Sequence, residues 1–422
     1  MATCRLLALG ALIAVLALPP AVGAQAAEPP RFGYCMWHRR DVEHAEEILA
    51  ALKGTPCDTI FVCPMIQLDS WRGTKFSPSP RAWGAQPEDI EPLIRRAREL
   101  GFTVAIQPNW TIDASVEKEM LPTHNPWWPM FAHTTEETWR AWTKVLEHYA
   151  VIAERAGAEY LLLLHETDCL LPYPGWADFI PNTLRKRAPS VKLVYSQHGM
   201  QHLRLFYEPI LELGLAGFAL AKTNGDRPLA AAKIFEMVGQ RSCLPDLRLP
   251  ADPARQRQLG YDLYMNWVKR QSPEDRQAGR YPCLDLVRTH FDAYKSSDYW
   301  PLVYRGKTHE TMAQLYRSVT FNPLPDVPQL DDVYYVDFVA AMQNTRKIFG
   351  AEKPWFTETG LEPPLPKDES RAALCARFVR ATREALTGAT DCIVWWGNGN
   401  DRDFIAVMQD LAQERRKAEK TK

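Results

Sequence analysis

The chain has 422 residues, of which 50 are Lys or Arg and 51 are Asp or Glu, for a formal net charge of -1. With 46% hydrophobic and 24% charged residues it has the balance of a globular protein, which excludes a disordered or collagen-like chain. Near-neutrality supplies no general field for nucleic acid or anionic lipid, and no basic patch stands out, so neither is expected as a partner. The length allows one large barrel or two domains.

The first segment reads as an address. Arg5 precedes the apolar run Leu6 to Leu18, followed by Pro19-Pro20 and the small-residue stretch Ala21 to Ala27, the order of a secretory signal over 1–26 cleaved after Ala24 or Ala26. A membrane anchor needs about 20 apolar residues, more than this run offers, so the mature chain 27–422 is expected in the periplasm or outside the cell. Beyond Cys4 the cysteines are Cys35, Cys57, Cys63, Cys169, Cys243, Cys283, Cys375 and Cys392. An exported chain of this size permits disulfides without demanding them. Cys35, Cys63 and Cys392 sit inside apolar runs and read as small buried residues.

In chain order, short apolar runs predict strands at Phe32 to Trp37, Thr59 to Pro64, Thr103 to Asn109, Tyr160 to Glu166, Lys192 to His198, Gly217 to Ala221, Pro354 to Glu358 and Cys392 to Trp396. Longer amphipathic patterns predict helices at Val42 to Leu52, Pro87 to Leu100, Glu136 to Ala156, Trp176 to Arg187, Asp332 to Phe349 and Glu369 to Leu386. Runs such as Tyr160 to Leu164 have no polar face, which suits a parallel sheet covered on both sides. Eight strand–helix units fit a (β/α)₈ TIM barrel, with a doubly wound open sheet as the competing fold. The barrel is favoured because Trp37-His38, Asn109-Trp110, His165-Glu166, His198, Glu358 and Trp395-Trp396 all fall at strand carboxyl ends, which a barrel gathers at one mouth. The stretch 222–330 exceeds any helical crossover and reads as a large insertion after strand six, an inserted subdomain or lid over the mouth. The charged tail Gln413 to Lys422 is expected to fray.

Glu166 and Glu358 each end an apolar strand, where a glutamate is costly unless it faces solvent or has partners. Strands four and seven can aim both into one mouth, and paired carboxyls are what glycoside hydrolysis needs: one protonates the leaving oxygen, the other attacks or activates water. Trp37, Trp71, Trp83, Trp110, Trp127, Trp128, Trp395 and Trp396 lie at strand ends or in the following loops, where indole rings can stack on sugar faces. Trp395 and Trp396 are adjacent on a strand, so only one of them faces the mouth. His38, His165, His198 and His202 support a rival, a metal-dependent hydrolase, against which stands the absence of an HxH pair on the first strand and of HExxH. A third reading is a carbohydrate-binding barrel without turnover. No Gly-rich phosphate loop and no Ser-centred nucleophile elbow is present.

The run Lys353 to Gly360, with Glu358-Thr359-Gly360, resembles the nucleophile strand of clan A glycoside hydrolases, and Glu166 resembles their acid/base. Pro87 to Ile90 leading into Ala97 to Asn109 is similar to the second helix and third strand of family 113 β-mannanases. So are Trp139, Tyr149-Ala150, Ala153-Glu154 and Gly157 on the way to Glu166, and then Leu184-Arg185-Lys186 before Lys192 to Tyr195. The eighth strand, Asp391 to Trp396, matches the clan's position for a Trp under the sugar. The resemblance covers most of the barrel thinly and skips the insertion. It implies a retaining glycosidase without cofactor or metal, with Glu166 as acid/base and Glu358 as nucleophile about 5–5.5 Å apart. The substrate it implies is a poly- or oligosaccharide, with no obligate protein partner. Its contacts would be Trp37, His38, Asn109, Trp110, His165, His198, Lys222, Trp395 and Trp396. Three positions depart from the clan: His165 stands where many members have Asn, strand six reads Leu220-Ala221-Lys222 without a Tyr, and strand two lacks an Arg. Lys222 or His198 would have to stand in for the missing groups.

Overall fold

The computed structural model describes residues 28–68, 75–79, 84–112, 136–165, 170, 175–198, 282–297, 350–361, 370–397 and 399–421, with isolated short pieces between 303 and 346. Its strands in chain order are β1 (Arg31–Met36), β2 (Cys57–Val62), β3 (Met65–Leu68), β4 (Phe76–Pro78), β5 (Thr103–Ile106), β6 (Asn109–Ile112), β7 (Tyr160–Leu162), β8 (Lys192–His198) and β9 (Ala293–Ser297). Two small hairpins pair β10 (Val303–Tyr304) with β11 (Lys307–Thr308) and β12 (Val319–Thr320) with β13 (Tyr335–Val336). They are followed by β14 (Trp355–Thr359) and β15 (Cys392–Trp395).

Eight of these close into a parallel barrel in the order β1-β15-β14-β9-β8-β7-β5-β2. Helices Arg39–Glu43 and Ala45–Leu52 follow β1, Pro87–Glu99 precedes β5, Glu136–Ala156 precedes β7, Pro282–His290 precedes β9 and Arg371–Ala385 precedes β15. The (β/α)₈ architecture is therefore the one the strand spacing implies. Several helix starts are written locally. Pro87 fills the first helical turn behind Gln86, whose side chain and that of Asp89 form a reciprocal cap, and Ser370 Oγ accepts from Ala373 N at 3.2 Å. The last helix, Arg402–Thr421, runs through the charged tail that was expected to fray. An exposed Arg415–Glu419 pair at 2.8 Å is one of the (i, i+4) contacts its sequence allows.

The sixth stave is not where the apolar pattern puts it. Gly217 to Ala221 lies outside the described residues, and the gap between β8 and β14 is filled by β9, from within the stretch read as an insertion. Long connections, 199–281 and 298–354, therefore flank this stave on both sides. The physical reason is alternation: Ala293 and Lys295 point into the barrel while Tyr294 joins the outer core, so no continuous apolar run marks the strand. Within the helix expected at Asp332 to Phe349, Tyr335–Val336 form β13 instead, and beyond them only Gln343 and Arg346, both helical, are described.

Two apolar layers hold the barrel. The interior plug contains Cys35, Phe61, Cys63, Ala105, Tyr160, Leu162, Val194, Ala293, Phe356, Cys392 and Val394. Phe356 meets Phe61 and Tyr160 edge-on, with centroids 5.7 and 5.3 Å apart. The outer layer packs alternate strand residues such as Phe32, Tyr34, Ile60, Val62, Leu161, Trp355 and Trp395 under the helices. Above the plug, two neighbouring staves break and resume. Pro64 follows β2 and Pro108 follows β5, and beyond each proline the chain re-forms a parallel pair, β3 with β6, edged by antiparallel β4. Asn109 N to Pro64 O, 2.9 Å, carries the ladder across the break. The result is a raised wall on one side of the mouth. Among the described residues no helix is long and apolar enough to cross a membrane. Residues 1–27, with the expected signal, lie outside them.

Candidate active site

Directly above the Phe356 plug, the next inward position on β14 is Glu358, 1% exposed, whose backbone pairs with Ser297 of β9 and Val394 of β15. Its cost in such a place is met by partners rather than by solvent. Lys295 of β9, 0% exposed, forms an ion pair with Glu358 Oε2. Gln107 Nε2 donates to the same oxygen at 3.3 Å, and the Cys35 thiol lies 3.7 Å from it. Four staves thus converge on one carboxylate: β1 gives Cys35, the end of β5 gives Gln107, β9 gives Lys295 and β14 gives Glu358 itself. The ammonium neutralises the carboxylate where water is excluded, which is what makes a buried acidic side chain tolerable. Burial pushes the Cys35 thiol well above the ordinary range, and a hydrogen bond with Cys63 pushes the same way.

His165, at the end of the fourth stave and 5% exposed, extends this cluster. Its Nδ1 lies 3.4 Å from Lys295 Nζ and 3.1 Å from Ser196 Oγ of β8. His198 closes β8 with its backbone paired to Ser297, and its side chain lies outside the described residues. Glu166 and Lys222 also lie outside them. Lys295 reaches Glu358 from the sixth stave, a residue the sequence hides because an inward lysine interrupts the apolar signature of its strand. The signal that could have revealed it is its place, with Phe291, Ala293 and Tyr294 as apolar members directly after a helix-length run.

The tryptophans divide by strand parity. Trp37 and Trp396 pack against the interior cluster and stack on each other, centroids 4.7 Å apart and planes 14° from parallel. Trp396 also lies nearly parallel to the His165 ring, 6.3 Å away. Trp395, 1% exposed, points the other way. Its ring stacks on Phe404 at 4.8 Å and its Nε1 donates to Asp401 Oδ2 at 3.0 Å. Trp110, also 1% exposed, is enclosed by Phe76 and Trp142 at 5.0 and 5.1 Å. The expectation that Trp395 and Trp110 contact substrate is corrected on that ground, since both serve the outer packing of the barrel. Asn109 is buried beyond the Pro108 break. Its Oδ1, together with Gln107 Oε1 and Ser297 Oγ, has no hydrogen-bond partner among the described residues.

His38 is the N-cap of helix Arg39–Glu43, its Nδ1 accepting from Arg40 N at 3.2 Å. This turn is tied to the loop after β15 by a buried network. Asp41 accepts from Tyr34 OH at 2.8 Å, His38 N at 3.0 Å and Asn400 N at 2.6 Å, and Tyr34 OH accepts from Asp401 N at 3.1 Å. Gly399, at φ +72°, passes so close to His38 that a Cβ would meet its ring at 2.9 Å. The network fixes the two loops that carry Trp37 and Trp396. Among the described residues no group of three or more His, Cys, Asp or Glu side chains is arranged to hold a metal.

No protein-family model matches the chain, and no curated protein sequence does. Among solved structures, the GH113 β-mannanase AaManA from Alicyclobacillus acidocaldarius, in complex with ManMIm, superposes with a TM-score of 0.51. The match covers 93% of this chain and 98% of that one, at 12% identity. The chain shares the (β/α)₈ barrel fold of that enzyme. A second GH113 β-1,4-mannanase gives a TM-score of 0.46 over 92% of this chain and 99% of its own, at 13% identity. The GH53 catalytic domain of Ignisphaera aggregans gives 0.39 over 90% and 87%, at 11% identity. Glu358 stands at the carboxyl end of the seventh stave, the end at which TIM barrels gather their catalytic groups.

Proposed function

We propose that the chain is an exported retaining glycoside hydrolase of a poly- or oligosaccharide, with Glu358 as nucleophile and Glu166 as acid/base. The observation that carries this reading is the Glu358 carboxylate itself. It is inward on the seventh stave and gripped at Oε2 by Lys295 and Gln107, in a (β/α)₈ barrel whose interior cluster also carries the stacked Trp37–Trp396 pair. Gln107 Oε1, Asn109 Oδ1 and Ser297 Oγ, each without a hydrogen-bond partner among the described residues, support a polyhydroxylated ligand whose hydroxyls would pair with them. In the proposed reaction Glu166 protonates the leaving oxygen as Glu358 attacks the anomeric carbon. Water then displaces the glycosyl-enzyme ester with Glu166 acting as base. Trp37 and Trp396 would bound the sugar site and His165 would donate to a sugar hydroxyl.

Hydrolysis of a panel of polysaccharides and aryl glycosides, with Glu166→Ala and Glu358→Ala as controls, tests the assignment. Each variant should lose at least about a thousandfold in turnover while still binding sugar. Azide should restore a glycosyl azide product from Glu358→Ala if that residue is the nucleophile. Wild-type hydrolysis that survives in both variants would refute both roles. One observation favours a second reading: an ion pair as buried as Lys295–Glu358 also suits a carbohydrate-binding barrel without turnover. That reading requires sugar binding by the wild type with no hydrolysis of any panel member.

A further inference from the structure

Lys295 contacts two of the groups at the mouth, and the second contact has a chemical consequence. An ammonium carries three donors and no acceptor. Its Nζ lies 3.4 Å from His165 Nδ1, with both side chains buried, so this ring nitrogen faces a donor and must offer a lone pair. A proton on Nδ1 would set N–H against N–H in a site of low dielectric, beside a positive charge. The Ser196 hydroxyl, 3.1 Å from the same nitrogen, rotates to suit whichever tautomer the lysine selects. We infer that Lys295 is a positioning residue that locks His165 in the Nε2–H tautomer, fixing the direction in which its imidazole donates.

The same ammonium holds Glu358 Oε2, so one side chain orients the proposed nucleophile and sets the direction of the neighbouring hydrogen bond together. In this scheme Lys295 touches the proposed nucleophile but not the sugar. Its use in substrate recognition rests on the glycosidase reading above, while the tautomer itself is a property of the resting protein.

Nitrogen-15 NMR of the full mature chain, labelled at histidine, reads that tautomer directly. In the wild type the His165 ring should show a protonated Nε2 and an unprotonated Nδ1. In Lys295→Met the selection should relax to a mixture of tautomers, whereas Ser196→Ala, which keeps the lysine, should leave the Nε2–H form dominant. On any glycoside the wild type cleaves, Lys295→Met should raise KM and lower kcat, by about a hundredfold in kcat/KM. Ser196→Ala should do neither to that extent. A wild-type ring protonated at Nδ1, or a tautomer indifferent to Lys295→Met, overturns the inference. Should Lys295→Met not fold, the wild-type spectrum still decides. A protein that cleaves no glycoside but shows the lysine-dependent Nε2–H ring would sink the functional reading and leave the positioning role standing.

Discussion

Lys295 and Glu358 are 0% and 1% exposed, and their pairing has a stability signature as well as a chemical one. Stripping either charge from such a pair leaves the other without its counter-ion, typically at about 3–5 kcal/mol, whereas replacing both with apolar groups of similar volume is often near neutral. Lys295→Met and Glu358→Leu are therefore each expected to lower unfolding free energy by about that amount. The double variant should recover much of it, a coupling that a denaturant-based double-mutant cycle measures. Strictly additive losses would show that the two side chains do not interact as described. Lysine is also the harder of the two to see in a sequence. Glu358 announces itself at the end of an apolar run, while Lys295 lies in mid-strand, where inward polarity erases the pattern that marks a strand. The tryptophans were legible only as a choice, because parity says that Trp395 and Trp396 face opposite ways but packing decides which faces in.

At the scale of elements, the two loops after β1 and β15 are joined by carboxylates with opposite responses to acid. Burial alone would push the Asp401 carboxyl up, but the Arg371 guanidinium at 2.7 Å, helped by Trp395 Nε1 and Phe404 N, holds it below its ordinary 3.8. Its contribution to stability is complete above about pH 3.8 and is lost as pH falls through the lower folded-state value. Asp41 behaves in the reverse sense. Burial raises its carboxyl above 3.8 despite the Asn400, His38 and Tyr34 donors. The folded chain therefore takes up this proton sooner than the unfolded one, and stability declines as pH rises from 3.8 through the folded-state value. Asp401→Asn should accordingly cost about 2–3 kcal/mol near neutrality and progressively less in acid, followed by urea unfolding across pH. A cost that does not shrink in acid would contradict the sign assigned to Asp401. Most strand–helix units were readable from periodicity, since their inward and outward faces are both apolar or cleanly alternating. This loop network was not, because its members meet only when the first and last staves become neighbours.

For the whole molecule, barrel closure places Cys35, Cys63 and Cys392 in the interior plug, while Cys57 and Cys375 lie in the outer core, all as buried free thiols. Burial pushes the Cys375 thiol up to about 12, the Asp401 carboxylate adding to it, and raises the Cys35, Cys57 and Cys392 thiols as well. These five cysteines should resist alkylation in the native protein and react together on unfolding, with rates that follow the denaturation curve in mass-spectrometric labelling. Rapid native modification of Cys35 or Cys63 would show that the mouth opens to reagent without unfolding. The raised wall of β3, β4 and β6 has a consequence for traffic. Among the described residues it stands over the second and third staves, so on that side any molecule entering the mouth meets a built flank. That flank is the work of two prolines, each of which stops a stave and lets it begin again one step higher.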